Sequence, residues 1–105
     1  MRVAYGLVLL LAGCGGSGVS SGGCDTQPIN QSCIEYQGAT EVVATYSRNC
    51  GAGTWSASGC SATNRVGGCS KTDGSTMLTY ITWFYKPNNS EITVRQGCTD
   101  GTFVK

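Results

Sequence analysis

Apolar and polar positions divide the chain into three regimes. Val3 to Leu11 is a short apolar run, Gly15 to Gly23 is nearly devoid of apolar side chains, and from Cys24 onward the two kinds of residue alternate in element-sized blocks. The strongest block is Met77 to Tyr85. It places Leu78, Tyr80 and Phe84 on one side of an extended chain and Met77, Ile81, Trp83 and Tyr85 on the other. A strand apolar on both faces must be covered on both. The pattern therefore predicts a central strand, with helices over one face and loops or a partner over the other. Lys86-Pro87-Asn88-Asn89 ends it, because proline cannot donate to a ladder and asparagine favours turns. Asp73-Gly74 predicts a hairpin joining this strand to Val66–Ser70. A second hairpin, Gly53 to Ser58 with Asn64 to Cys69, is predicted on weaker alternation.

An internal echo flanks this central block. Thr40-Glu41-Val42-Val43 leads to Cys50-Gly-Ala-Gly53-Thr54-Trp55, and Ser90-Glu91-Ile92-Thr93 leads to Cys98-Thr-Asp-Gly101-Thr102-Phe103. A hydroxyl residue before a glutamate suits a helix N-cap with a carboxylate in the first turn, where it complements the helix dipole. The glycines read as helix stops that turn the chain into a short extended Gly-Thr-aromatic segment. In the first copy Val43, Tyr46 and Cys50 share a helical face, which predicts a helix there. The β-branched run Ile92-Thr93-Val94 leaves helix and strand evenly balanced in the second.

The opening regime is an address. Met1 to Gly13 carries one basic residue (Arg2), a hydrophobic region about half the length of a membrane span, and the segment Leu11-Ala12-Gly13-Cys14. These positions resemble a bacterial lipoprotein signal peptide with its lipobox. The resemblance implies cleavage before Cys14, a diacylglycerol on its sulfur and acylation of the new amino group; no other cofactor is expected. Two or more acyl chains give stable attachment without a spanning helix. Gly15, rather than aspartate, after the lipidated cysteine implies the outer membrane by analogy with enterobacteria. Residues 14–23, mostly glycine and serine, read as a tether spanning roughly 15 to 18 Å. The domain proper is expected to run from Cys24 to Lys105.

Setting Cys14 aside changes the cysteine arithmetic from odd to even. Cys24, Cys33, Cys50, Cys60, Cys69 and Cys98 remain in a small exported domain, which implies three disulfides, each stabilising by about 2 to 4 kcal/mol. Six cysteines allow 15 pairings, and sequence does not choose among them. A zinc site is not expected, since the cysteines lie eight or more apart and the chain has no histidine.

Charge adds little. After cleavage Arg48, Arg65, Lys71, Lys86, Arg95 and Lys105 balance six scattered acids, leaving none of the clustered positive charge that a nucleic acid requires. Without histidine neither a Ser-His-Asp nor a Cys-His site can be built, so no catalytic residue is assigned and an enzyme is not expected. Aromatic side chains are the remaining candidates. Trp55, Trp83 and Tyr85 would form a binding face if exposed together, and would fill a thin core if not.

The chain as a whole resembles small cysteine-rich bacterial lipoproteins. Its own residues predict an α+β domain with a short antiparallel sheet, one or two short helices and three disulfides. The function expected is a non-enzymatic cell-envelope module that binds a protein or glycan near the membrane or has a structural role there. A tethered inhibitor of a hydrolase, using the loop Ser56 to Arg65, is the alternative.

Overall fold

The computed structural model describes residues 18–105; the lipobox and the cleavage site lie outside the described residues. The expected α+β class is what forms. The elements in order are β1 (Val19–Asp25), α1 (Gln27–Asn30), β2 (Ser32–Ala39), α2 (Thr40–Arg48), β3 (Thr54–Ser56), β4 (Arg65–Asp73), β5 (Leu78–Tyr85), α3 (Glu91–Gly97) and β6 (Thr102–Val104). One antiparallel sheet takes the order β3-β1-β2-β5-β4-β6.

The echo extends further than the helices. Gly22-Gly23-Cys24 in β1 is matched by Gly67-Gly68-Cys69 in β4, and, apart from the single turn α1 inserted in the first, each half runs strand, strand, helix, short edge strand. Cys24 pairs with Ile34 and with Trp55, and Cys69 pairs with Thr82 and with Phe103. Ile34 and Thr82 are thus equivalent, and they face each other across the β2–β5 ladder. The domain is therefore a pseudo-two-fold pair of ββαβ units that meet at this central ladder.

The disulfides follow the same plan. Cys24–Cys50 and Cys69–Cys98 each tie the chain just beyond a helix to the strand beside the sheet edge. Cys33–Cys60 has no counterpart. It fastens the connection between the halves, residues 57–64, across the sheet face opposite the helices.

Several local expectations change. Val19–Gly23 of the expected tether is strand, held by pairs from Val19↔Ala39 to Gly23↔Glu35. Its glycines are there for space: a Cβ on Gly22 would run into the Trp55 ring, and one on Gly23 would sit 3.0 Å from the Cys60 sulfur. Thr40 is the first residue of α2 and not its cap, since its amide already donates to Gly18 O at 3.0 Å and its hydroxyl meets Ser20 Oγ at 2.9 Å. The second copy is helical. Ser90 and Thr93 form a reciprocal capping box that outweighs the β-branched run.

Gly53 and Gly101 do not stop helices, which end at Arg48 and Gly97. They let the chain press on the next strand, where a Cβ would lie 2.8 Å from Asp25 O and 2.6 Å from Ser70 O. The second hairpin does not form: β3 pairs with β1 while β4 pairs with β5 and β6. Cys24–Cys50 holds the β3 region at the far edge, with three strands between it and β4. The Asp73-Gly74 hairpin does form, with Asp73 accepting from the Ser75 amide at 2.9 Å.

Candidate functional site

Each face of the sheet has its own cover. Beneath the connection 57–64, Cys33, Trp83 and Tyr85 form a buried cluster with Cys60, Ile81 and Val104 packed against it. The Tyr85 hydroxyl donates to Ser61 O at 2.6 Å, the Trp83 indole N–H donates to Glu35 Oε1 at 3.0 Å, and Arg65 lies over the Trp83 ring at 3.7 Å. Trp83 and Tyr85 are 6% and 1% exposed, so the binding face they would have formed does not exist. Both were placed on the correct side of β5 by its alternation, but a loop pinned by Cys60 covers them. The third aromatic candidate, Trp55, is half-buried on the opposite face, over Gly22.

The connection itself lies against the sheet and does not project. Ala57, Ser58 and Ser61 to Asn64 are exposed along its outer rim, while Gly59 and Cys60 pack inward.

The helical face is different. Helix α2 packs on β1 and β2 and α3 on β4, leaving the central ladder between them partly open. Two hollows lie there side by side. The first, about 500 Å³, has Ile34, Tyr36 and Tyr80 along its floor, Tyr46 of α2 as one wall and Asp73-Gly74 at its end. The second, about 280 Å³, has the equivalent floor residues Thr82 and Phe84, with Lys71, Thr93 and Gly97 around it. Pseudo-symmetry therefore supplies two related hollows with different furniture.

The first hollow is the richer in chemistry. Tyr46 stacks on Tyr36 with ring centroids 4.5 Å apart, and Trp55 follows at 6.1 Å, giving a three-ring file from the sheet edge to the cleft. Stacking at such distances favours a fixed ring arrangement over a mobile one. Tyr46 remains 39% exposed, so the file ends on a ring open to solvent. Burial, with the Tyr46 and Tyr80 phenols nearby, raises the Tyr36 hydroxyl above its ordinary pKa. It is neutral at physiological pH and can both donate and accept a hydrogen bond. Asp73, held below its ordinary range by hydrogen bonds from the Ser75 side chain and backbone, is a charged acceptor at the end of the same hollow.

In the second hollow Lys71 is spoken for by Asp100 at 2.8 Å. Among the described residues no three metal-ligating side chains come together. What the first hollow offers is a set of ring faces with hydroxyl and carboxylate partners around them. That arrangement can bind a molecule that has both apolar faces and hydroxyl groups.

No protein-family model, curated protein or solved structure matches this chain. Its functional reading rests on its own geometry. Tyr36, Tyr46 and Tyr80 are not among the binding candidates that sequence pattern offers, because the fold, and not their spacing, brings them together from three elements.

Proposed function

We propose that the protein is a lipid-anchored module of the bacterial cell envelope, non-enzymatic, whose interhelical cleft binds an envelope glycan. The observation that carries the binding site is the three-ring file Trp55–Tyr36–Tyr46, whose last two rings line one hollow with Tyr80 and Asp73. Sugar rings present flat C–H faces to aromatic rings and hydroxyls to phenols and carboxylates, and this hollow offers both kinds of partner. The lipobox-like Leu11-Ala12-Gly13-Cys14 supports the anchor, with the acyl groups on Cys14. Among the described residues no helix is long and apolar enough to cross a membrane. The outer membrane is the favoured site, on Gly15.

The test is titration of the mature protein with glycan strands released from peptidoglycan and with oligosaccharides from lipopolysaccharide, followed by tyrosine ring resonances. Tyr36, Tyr46 and Tyr80 should shift together. Tyr46→Ala should weaken binding about five- to tenfold, as truncation of an anchoring aromatic does. Shifts confined to other residues, or none with either glycan class, would remove the cleft from consideration. The second reading, an anchored hydrolase inhibitor, draws on the Cys33–Cys60 bridge, which holds the exposed rim 57–64 rigid. Stoichiometric capture of a hydrolase that is lost on replacing Ala57 and Ser58 would favour it instead.

A further inference from the structure

We infer that one end of the sheet, carrying Val19, Ala39 and Met77, lies on the lipid surface, with the Val19 and Met77 side chains in contact with it. The inference rests on the acylation of Cys14 proposed above, and adds an orientation to it. Three strands end together here. Val19 of β1 pairs with Ala39 of β2, and the β2–β5 ladder closes at Gln37↔Thr79, so that Met77 follows at the same level. A Cβ on the intervening Gly38 would lie 3.7 Å from Met77 O, which confirms how closely the turn approaches β2. With strands about 4.8 Å apart, Val19 and Met77 stand about 10 Å from each other along this edge.

Both side chains are open to solvent. Val19 is 73% and Met77 70% exposed, somewhat ahead of Ile92 at 67% among the large apolar side chains of the described residues. Met77 closes the Gly74–Met77 turn with a positive φ of 56°, a conformation that a glycine or asparagine would hold more readily. Nothing in the fold calls for a long apolar side chain at such a position.

The length of the connecting chain supplies the occupant. Only three residues, Gly15, Gly16 and Ser17, separate Cys14 from Gly18, whose carbonyl is already fixed by the Thr40 amide. The four Cα-to-Cα steps from Cys14 to Gly18 reach about 14 Å at most. An acylated Cys14 therefore brings this end of the sheet against the bilayer. The opposite end, with Ile29 on α1, is a full strand length away, about 20 Å. The charged groups nearest the lipid end, Glu41 and Asp73, are both acidic. The contact is therefore apolar, and anionic lipid does not strengthen it. The same orientation places the first hollow, which ends at Asp73-Gly74, beside the membrane.

The experiment uses full-length protein expressed in bacteria, purified with its lipid and reconstituted into vesicles of phosphatidylcholine brominated on the acyl chains. Three variants each add one tryptophan at an exposed position: Met77→Trp, Val19→Trp and Ile29→Trp. The expected result is a blue shift and bromine quenching of the added emission in the first two, unchanged by salt, and none in Ile29→Trp. Mass spectrometry of the same samples reads the acyl groups. Acylated Cys14 with Met77→Trp and Val19→Trp unquenched overturns the orientation and leaves the anchor standing. Unmodified Cys14 overturns the anchoring reading itself, and this inference with it.

Discussion

The two ββαβ units share a frame and differ in what secures it. Both carry Gly-Gly-Cys on the strand next to the edge, a helix, and a cysteine that bridges back before Gly-Thr-aromatic forms the edge strand. In the first unit, residues 18–56, the edge aromatic Trp55 is stacked toward Tyr36 and Tyr46. In the second, residues 65–105, Arg95 covers the edge aromatic Phe103 at 4.1 Å, and all three ion pairs among the described residues lie there: Lys71–Asp100, Arg95–Glu91 and Lys105–Glu91. Apolar stacking has left ring faces for a cleft. Ionic closure has used its charged groups on the protein itself. The lesson is that one repeated frame can leave its equivalent edge aromatics, Trp55 and Phe103, in different company: a ring stack in one unit and an arginine in the other.

The largest expected effect comes from the bridge that breaks the symmetry. The three bridges close loops of nearly equal separation, 26, 27 and 29 residues, so chain entropy alone predicts similar losses of about 2 to 4 kcal/mol. Cys33, however, is fully buried against Trp83 and Tyr85. Replacing Cys33 and Cys60 by alanine should cost more than either equivalent pair, because a cavity opens beneath the connection. Denaturant unfolding of the three double variants checks the order. Equal losses would mean that the connection is not part of the core.

The glycines come next. Valine at Gly22 or at Gly67 would press on Trp55 or on Phe103, and overpacking of this kind costs about 1 to 3 kcal/mol. Gly67→Val should be the worse of the two, since Gly67 also holds a φ of 155° that an L side chain rarely adopts, whereas Gly22 adds no such backbone strain. Thermal unfolding of both variants tests whether the two Gly-Gly-Cys segments do the same work. An unchanged midpoint for Gly22→Val would break the equivalence.

A smaller difference separates the helix starts. Ser90→Ala removes a capping box and should cost about 1 kcal/mol, whereas Thr40→Ala, which removes only a solvent-exposed hydroxyl contact, should cost less. Helix-specific hydrogen exchange distinguishes them.

Acid should loosen the second unit first. Glu91 is held below its ordinary range by Lys105 and Arg95, and Asp100 by Lys71. A lowered carboxylate contributes stability above its unfolded pKa and loses it as pH falls through the folded one. The loss therefore begins as pH falls into the usual carboxylate range, is complete only below it, and falls on α3 and β6. Exchange rates there should rise before those of α2 and β3 as pH is lowered. The alkaline limb touches both units, because Tyr36, Tyr85 and Lys71 all have raised values. Groups of that kind lose their contribution as pH rises through the folded value.

Much of the frame was legible from local pattern. The two-sided apolar run of β5, the Asp73-Gly74 turn and the Cys-x-x-Gly-Thr-aromatic echo each carry their geometry within a few residues. The first Gly-Gly-Cys was hidden because Val19-Ser20-Ser21-Gly22-Gly23 has the composition of a linker. Its strand character comes from β2 and Trp55, which lie outside that segment. The pairing of the cysteines was hidden for the same reason. Trp83 and Tyr85 looked like candidate binding residues because nothing in β5 shows that Cys60 brings a loop over them. Tyr36 and Tyr46 are ten residues apart on a strand and a helix, and only the helix packing back on its own strand stacks them.

The central claim is a doubled frame with one sulfur outside it. Tandem mass spectrometry of the native protein, fragmented at low pH without reduction, reads every sulfur in one measurement. The account predicts Cys24–Cys50, Cys69–Cys98 and Cys33–Cys60 intact, with a diacylglycerol on Cys14. A bridge joining the two equivalent pairs, such as Cys24–Cys98, or Cys14 found in a disulfide, would contradict it.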